Sequence, residues 1–198
     1  MKGNELYLKE DQGRNSDLEN RLYNLLDQMR TNEVKQAEKE GRKYKIHGLC
    51  AVLGYDPEQH ASYFKRQVGK DILANKEIYL QDEEALPALQ EAMEIDGAIL
   101  IDRQGKLMHS GRYMKFDERM YDLSLEASAT YEKLRETADA GTRHVAAVAL
   151  SAQLPDLLFY TLKSDHPQLR QFKGGSIYRS NVPGEGLYRP APLCQLEF

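Results

Sequence analysis

"MEIDGAILIDRQGKLMHSGRYM", residues 93–114, decides the fold. Ile99-Leu100-Ile101 is a run of aliphatic, largely β-branched residues of the kind that fills a buried strand. Arg103-Gln104-Gly105-Lys106 then supplies a polar turn and Leu107 to His109 open a second apolar segment, so the stretch predicts a β-hairpin. A hairpin pairs its strands antiparallel, while the other strand-like segments of the chain alternate with helical ones. Together these predict an α/β fold: a single domain with a mixed β-sheet flanked by helices, plus an N-terminal amphipathic helix.

Working upstream, "DEEALPALQEAMEI" predicts a helix with acids in its first turn and Pro87 at or near its start. "EQHASYFKRQVGKDIL" has no period that assigns it. Leu49 to Leu53 predict a short buried strand closed by a turn at Gly54 and Pro57, although a buried helix fits the same run. Ser16-Asp17-Leu18-Glu19 has capping-box spacing, and Leu18, Leu22, Leu25, Leu26 and Met29 fall on one helical face, so a helix is predicted from Ser16 toward Gly41. Downstream, "TYEKLRETADA" and Thr142 to Ala152 predict helices, "DLLFYTLK" a strand, and "QFKGGSIYRS" a turn and a final strand. The expected organisation is a flexible arm over 1–15, a helix over 16–42, the main domain over 43–180 and a proline-rich extended tail over 181–198.

With 198 residues, 41% hydrophobic and 29% charged, and a net charge of −4, the chain has the composition of a globular protein. It has no overall bias toward nucleic acid, so any anion site must be a local arrangement. Cys50 and Cys194 lack metal-ligand spacing, no apolar signal-type run follows the N-terminus, and no apolar run approaches the roughly 18 residues that span a bilayer. The expectation is a cytoplasmic protein with no nucleic-acid partner and no membrane anchor.

Two short motifs could carry chemistry. Gly141-Thr142-Arg143-His144 stands directly before a helix, where unpaired N–H groups and the macrodipole favour an anion. Gly141 allows close approach, Thr142 can cap the helix or donate, Arg143 offers a planar fork of donors, and His144 adds another. The plain alternative is a threonine cap followed by two exposed basic residues. Asp96-Gly97-Ala98 stands where a helix gives way to a strand; small residues leave room for a ribose or ring, and the carboxylate can hold a sugar hydroxyl or a divalent metal. Its plain alternative is an Asp-Gly turn. His47, His60 and His109 form no motif and are expected at the surface or at strand ends.

The combination is more specific than either part. "MEIDGAILIDRQGKLMHSGRYM", followed after an interval by "GTRHVAAVALSAQLPDLLFYTLKSD", resembles the diadenylate cyclase domain, the family that condenses two ATP into cyclic di-AMP. "HGLCAVLGYD" is similar to that family's first glycine-led strand and "LENRLYNLLDQMR" to the helix before it, so the resemblance spans about residues 16 to 180. It is that of a divergent member, of the type found in DNA-integrity scanning. The resemblance implies that Asp96 lies at the reacting 3′-hydroxyl and the catalytic metal, with Gly97 and Ala98 shaping the nucleotide pocket. Tyr113 and Met114 would line the adenine pocket, although ordinary packing explains them equally well. Gly141, Thr142, Arg143 and His144 would hold the triphosphate. Ser164 and Asp165 would keep part of a third motif, with His166 in place of its second acid, where it could ligate a metal; a polar turn closed by Pro167 explains this stretch as well. The implied cofactor is a divalent metal, Mg2+ or Mn2+, the implied substrate ATP, and the implied active species a homodimer of protomers face to face.

The departures are as informative. Where the family continues with a second arginine, this chain has Val145, so a substitute cation is expected; Arg135, Lys163 and Lys173 are candidates. The interval from Gly111 to Gly141 is long enough to hold an inserted helix that covers the site or meets a partner. Two other readings therefore remain open: a domain of this fold that senses a nucleotide without turning it over, and an interaction protein docking through its first helix and tail.

Overall fold

The computed structural model describes residues 4–64, 66–115, 125–136 and 141–186. The hairpin belongs to one seven-stranded sheet of β1 (Leu49–Tyr55), β2 (Arg66–Gln67), β3 (Ala98–Asp102), β4 (Leu107–Tyr113), β5 (Leu158–Leu162), β6 (Leu169–Lys173) and β7 (Ser176–Ser180), in the order β2-β4-β3-β1-β5-β6-β7. β1 and β3 are parallel and every other neighbouring pair is antiparallel, so the sheet is mixed as the hairpin predicts. The helices are α1 (Asn4–Glu40), α2 (Pro57–His60), α3 (Ala85–Met93), α4 (Leu125–Glu136) and α5 (Thr142–Gln153).

Side-chain alternation along the strands divides the interior in two. Leu49, Ala51 and Leu53 of β1, with Ile99 and Ile101 of β3, face a layer containing Leu22, Leu26 and Met29 of α1 and Leu89 of α3. Cys50, Val52, Ala98 and Leu100 face the opposite layer with Ala147, Val148 and Leu150 of α5. Strict alternation would put Tyr55 in the first layer. The β1–β3 register instead shifts between Leu53 and Tyr55, at Gly54 with φ +98°, and Tyr55 joins the α5 layer.

α1 departs from its predicted start. It begins at Asn4, so the segment expected to be a flexible arm is helical from that residue, and Ser16 lies within the helix rather than capping it. Helix growth explains this: the buried leucine stripe fixes the costly nucleus, and straight-chain residues such as Glu5, Lys9, Glu10 and Gln12 then extend it at little cost. The other end is a Schellman turn, with Gly41 at φ +64°, its N–H donating to the Glu38 carbonyl and the Arg42 N–H to the Ala37 carbonyl.

Smaller corrections follow. α3 starts at Ala85, so its three preceding acids lie ahead of its first turn rather than in it. Of the long interval after Gly111, the described helix α4 packs on α5 and β7, where Ala127 and Ala152 close on Gly175. Tail residues 187–198, with Cys194, lie outside the described residues. Among the described residues, no helix is long and apolar enough to cross a membrane.

Candidate functional site

β1 and β3 run in parallel and place Gly48 and Asp96-Gly97 together at their amino ends. β5 runs the other way and brings Lys163, Ser164 and Asp165 to the same end, where α5 also begins. These pieces enclose a cavity of about 800 Å3. Its walls are the start of α5 with Gly141, Thr142, Arg143, His144 and Ala146; the turn with Asp96 and Gly97; the end of β4 with Arg112, Tyr113 and Met114; Leu162 with Lys163, Ser164 and Asp165; and Gly48 and Val68.

The two short motifs meet here. Arg143 Nη2 donates to Asp96 Oδ1 at 2.5 Å across 47 positions of sequence. Gly48 gives the guanidinium room, since a Cβ there would lie 2.7 Å from Arg143 Nη1 and the side chain would have to shift. Asp96 Oδ1 also accepts from the Gly97 N–H at 2.9 Å, and the Asp96 side chain is 74% exposed to the cavity. Gly97 is fixed by its backbone: at φ +115° its missing Cβ would lie 2.7 Å from the Gly111 carbonyl carbon, so only glycine lets the start of β3 press against β4.

The α5 terminus corrects the plain alternative of a threonine cap. The N-cap is Gly141 itself, extended at φ −78° and ψ 162°, and no side chain caps the helix. The His144 and Val145 N–H groups return to the Gly141 carbonyl; among the described residues those of Thr142 and Arg143 have no backbone acceptor, and both residues line the cavity. The positive end of the α5 dipole thus points into the same space as Arg112, Arg143 and Lys163, against two carboxylates, Asp96 and Asp165. The lining is suited to a polyanion.

Several expected residues sit elsewhere or face another way. Ala98 is fully buried in the α5 layer and does not line the cavity. His144 is among the lining residues but only 4% exposed; its ring packs edge-on against Phe172 and its Nε2 lies 3.4 Å from Arg170 Nη1, so most of the side chain is turned to the interior. Met114 is buried with its sulfur 3.6 Å from Cys50 Sγ, whereas Tyr113 is half exposed on the rim beside exposed Val68. His166 is exposed on its turn and is not among the lining residues, and Val145 likewise does not line the cavity. Among the described residues, no group of three or more His, Cys, Asp or Glu is placed to hold a metal ion. Of the candidate substitute cations, Lys163 lines the cavity; Lys173 borders a different one and Arg135 lies on α4. The histidines expected at the surface divide: His47 is exposed and pairs with Glu94, but His60 is buried, accepting the Asp56 N–H at Nδ1 and meeting Asp156 at Nε2.

Arg112 is the residue the sequence reading missed. Asp71 holds it, with Oδ2 accepting from Arg112 Nη2 at 3.2 Å and lying 2.7 Å from His109 Nδ1, while Oδ1 accepts the Ser110 N–H at 2.9 Å. Burial alone would raise the Asp71 pKa, but the Ser110 N–H and His109 outweigh it and hold the carboxyl below its usual range. The available sequence signal was an arginine directly after Gly111, near the end of the second hairpin strand.

A second cavity of about 500 Å3 lies at the carboxyl end of β1, bordered by Glu19, Gly54, Arg103, Asp156 and Lys173. It contains none of the motif residues.

No family model and no curated protein matches the chain. Among solved structures it is similar to a double mutant of DacA from Staphylococcus aureus, with a TM-score of 0.49 and 16% identity over 84% of this chain and 87% of that one. It is also similar to a hypothetical membrane spanning protein from Bacillus cereus, with a TM-score of 0.45 and 17% identity over 75% of this chain and 59% of that one. At these values the architecture rests on the strand order and pairing above.

Proposed function

We propose that the cavity between Asp96 and Arg143 binds a nucleoside triphosphate and that the protein condenses two ATP into cyclic di-AMP, releasing pyrophosphate. One observation carries the reading: the fold brings together, by a direct ion pair inside one polyanion-suited cavity, the two motifs whose combination resembles the diadenylate cyclase domain. The base would lie on the Tyr113 and Val68 rim, with the ribose over Gly97 and the phosphates at the α5 terminus.

In this reading Arg143 changes partner. Exposed ion pairs contribute at most about 1 kcal/mol, so a triphosphate can draw the guanidinium from Asp96 onto its own oxygens, where two parallel bonds form. The same event frees the Asp96 carboxylate to orient the attacking 3′-hydroxyl and accept its hydrogen bond. The Thr142 and Arg143 N–H groups would hold charge developing on the phosphate, a contribution of position and electrostatics rather than covalent chemistry. Asp96 and Asp165 give a divalent metal few protein oxygens, which suits Mg2+ or Mn2+ arriving with the phosphates as most of its ligands. When bound, such an ion would polarise the hydroxyl and the phosphorus. Because the hydroxyl of one ATP must reach the α-phosphorus of another, two protomers would face each other across the cavity mouths as a homodimer.

A second reading, binding without turnover, is favoured by the hold of Arg143 on Asp96 and by the absence of a cation at Val145. One incubation separates the two. With ATP and Mg2+ or Mn2+ over a series of protein concentrations, we expect cyclic di-AMP and pyrophosphate, with a rate per protomer that rises as dimers form. Bound ATP without product at the highest concentration would leave only the second reading.

A further inference from the structure

We propose that Arg112 is a specificity-determining residue, a guanidinium on the β4 wall, preset by Asp71, that replaces the cation missing at Val145 and makes the cavity select polyphosphates over monophosphates. This rests on the nucleotide reading above and adds the residue that sets its phosphate specificity.

Three observations carry it. Arg112 pairs with Ala98 across the β3–β4 ladder, so it stands directly beside the Asp96-Gly97 turn, and it lines the same cavity as the start of α5. Its Nη2 donates to Asp71 Oδ2 at 3.2 Å and lies 3.0 Å from His109 Nδ1; among the described residues no bond is made by Nη1. The Arg112 side chain is 23% exposed, so the guanidinium keeps accessible surface and unused donor capacity for a ligand oxygen. Finally, Asp71 accepts from the Ser110 and Ala74 N–H groups as well, which fixes the carboxylate and thereby the guanidinium. A pre-oriented arginine loses little freedom on binding.

The geometry then determines the ligand class. Arg112, Arg143, Lys163 and the α5 terminus line the same cavity and together carry more positive charge than a single phosphate takes up, which favours an extended chain of phosphates. Asp71 acts as a positioning residue, since it touches Arg112 and does not line the cavity.

The test measures binding of 3′-deoxy-ATP and 3′-deoxy-AMP, which lack the attacking hydroxyl, to the full chain with Mg2+ by calorimetry. For the unsubstituted protein we expect the triphosphate to bind at least tenfold more tightly than the monophosphate. Arg112→Ala should weaken the triphosphate by about 10- to 100-fold, as loss of a charge-assisted contact implies, and the monophosphate by less than threefold. Arg112→Lys should recover part of the difference, and Asp71→Asn should narrow the ratio without abolishing it. A folded Arg112→Lys that behaves as the unsubstituted protein while Arg112→Ala unfolds would make Arg112 structural and overturn the proposal. So would equal weakening of both ligands in Arg112→Ala, or no weakening. If the unsubstituted protein bound neither nucleotide, the nucleotide reading itself would fail.

Discussion

Replacing Glu185 with alanine is expected to destabilise the protein by about 3–5 kcal/mol, the usual cost of breaking a buried ion pair by removing one partner. The reason lies under α5. Arg170 of β6 has 0% exposure and is held by Glu185 through two bonds, Nε to Oε2 at 2.8 Å and Nη2 to Oε1 at 3.0 Å. Ser180 Oγ donates to the same carboxylate at 3.0 Å. Removing that carboxylate takes two charge-assisted bonds from a fully buried guanidinium whose other contacts include the neutral Gln168 Oε1 and the His144 ring. Arg170→Met combined with Glu185→Leu should recover most of the loss, because neither charge is then buried. Urea unfolding of the single and double variants decides it, and a Glu185→Ala loss below 1 kcal/mol would show that Arg170 finds adequate partners elsewhere. The pair also sets an acid limit. Burial alone would raise the Glu185 pKa, but the bonds and charge of Arg170 outweigh it and hold the carboxyl below its usual 4.5. A carboxyl lowered on folding stabilises fully above the unfolded pKa, so this contribution is complete at neutral pH and is lost as pH falls through the folded value, below 4.5. In Glu185→Gln the acid-side loss of stability should shrink.

Asp96→Asn is expected to reduce cyclic di-AMP formation by about 10^3-fold, the scale on which a preorganised electrostatic group contributes to catalysis, while ATP binds no more weakly. The amide keeps an oxygen for the Gly97 N–H, so the turn into β3 should survive. It loses the charge that holds Arg143, which leaves the guanidinium free for phosphate. Turnover and affinity should therefore move apart. A variant with full activity would remove Asp96 from the chemistry. One that lost activity and affinity in proportion would make the residue a binding or structural group instead.

The fold was largely legible where hydrophobic pattern and turn chemistry agree. Ile99-Leu100-Ile101 followed by Arg103-Gln104-Gly105-Lys106 reads as the β3–β4 hairpin, and the predicted helix from Thr142 to Ala152 matches α5, with Ala146 to Leu150 buried. The segment before Ser16 was not legible, because a helix that extends from an already packed one needs no apolar stripe of its own. At the site, both motifs could be found in the sequence, but their contact could not: Arg143 meets Asp96 across 47 positions, beside Gly48 on a third segment. His144 shows the same limit in reverse. Its place at a helix start suggests an exposed phosphate donor, and only β6, which places Arg170 beside it, accounts for the burial of most of the ring. Arg112 and Asp71 carried no motif, since their partnership is made by a loop whose sequence has no period.

The most direct test is a hydrogen-exchange footprint of 3′-deoxy-ATP and Mg2+ on the full chain. Slowed exchange is predicted at Thr142 and Arg143, at Gly97, and at Arg112 and Tyr113, with no change near Gly54, Arg103 and Asp156 at the opposite cavity. Protection confined to that opposite cavity, or an unchanged α5 terminus at saturating nucleotide, would contradict the assignment of the site.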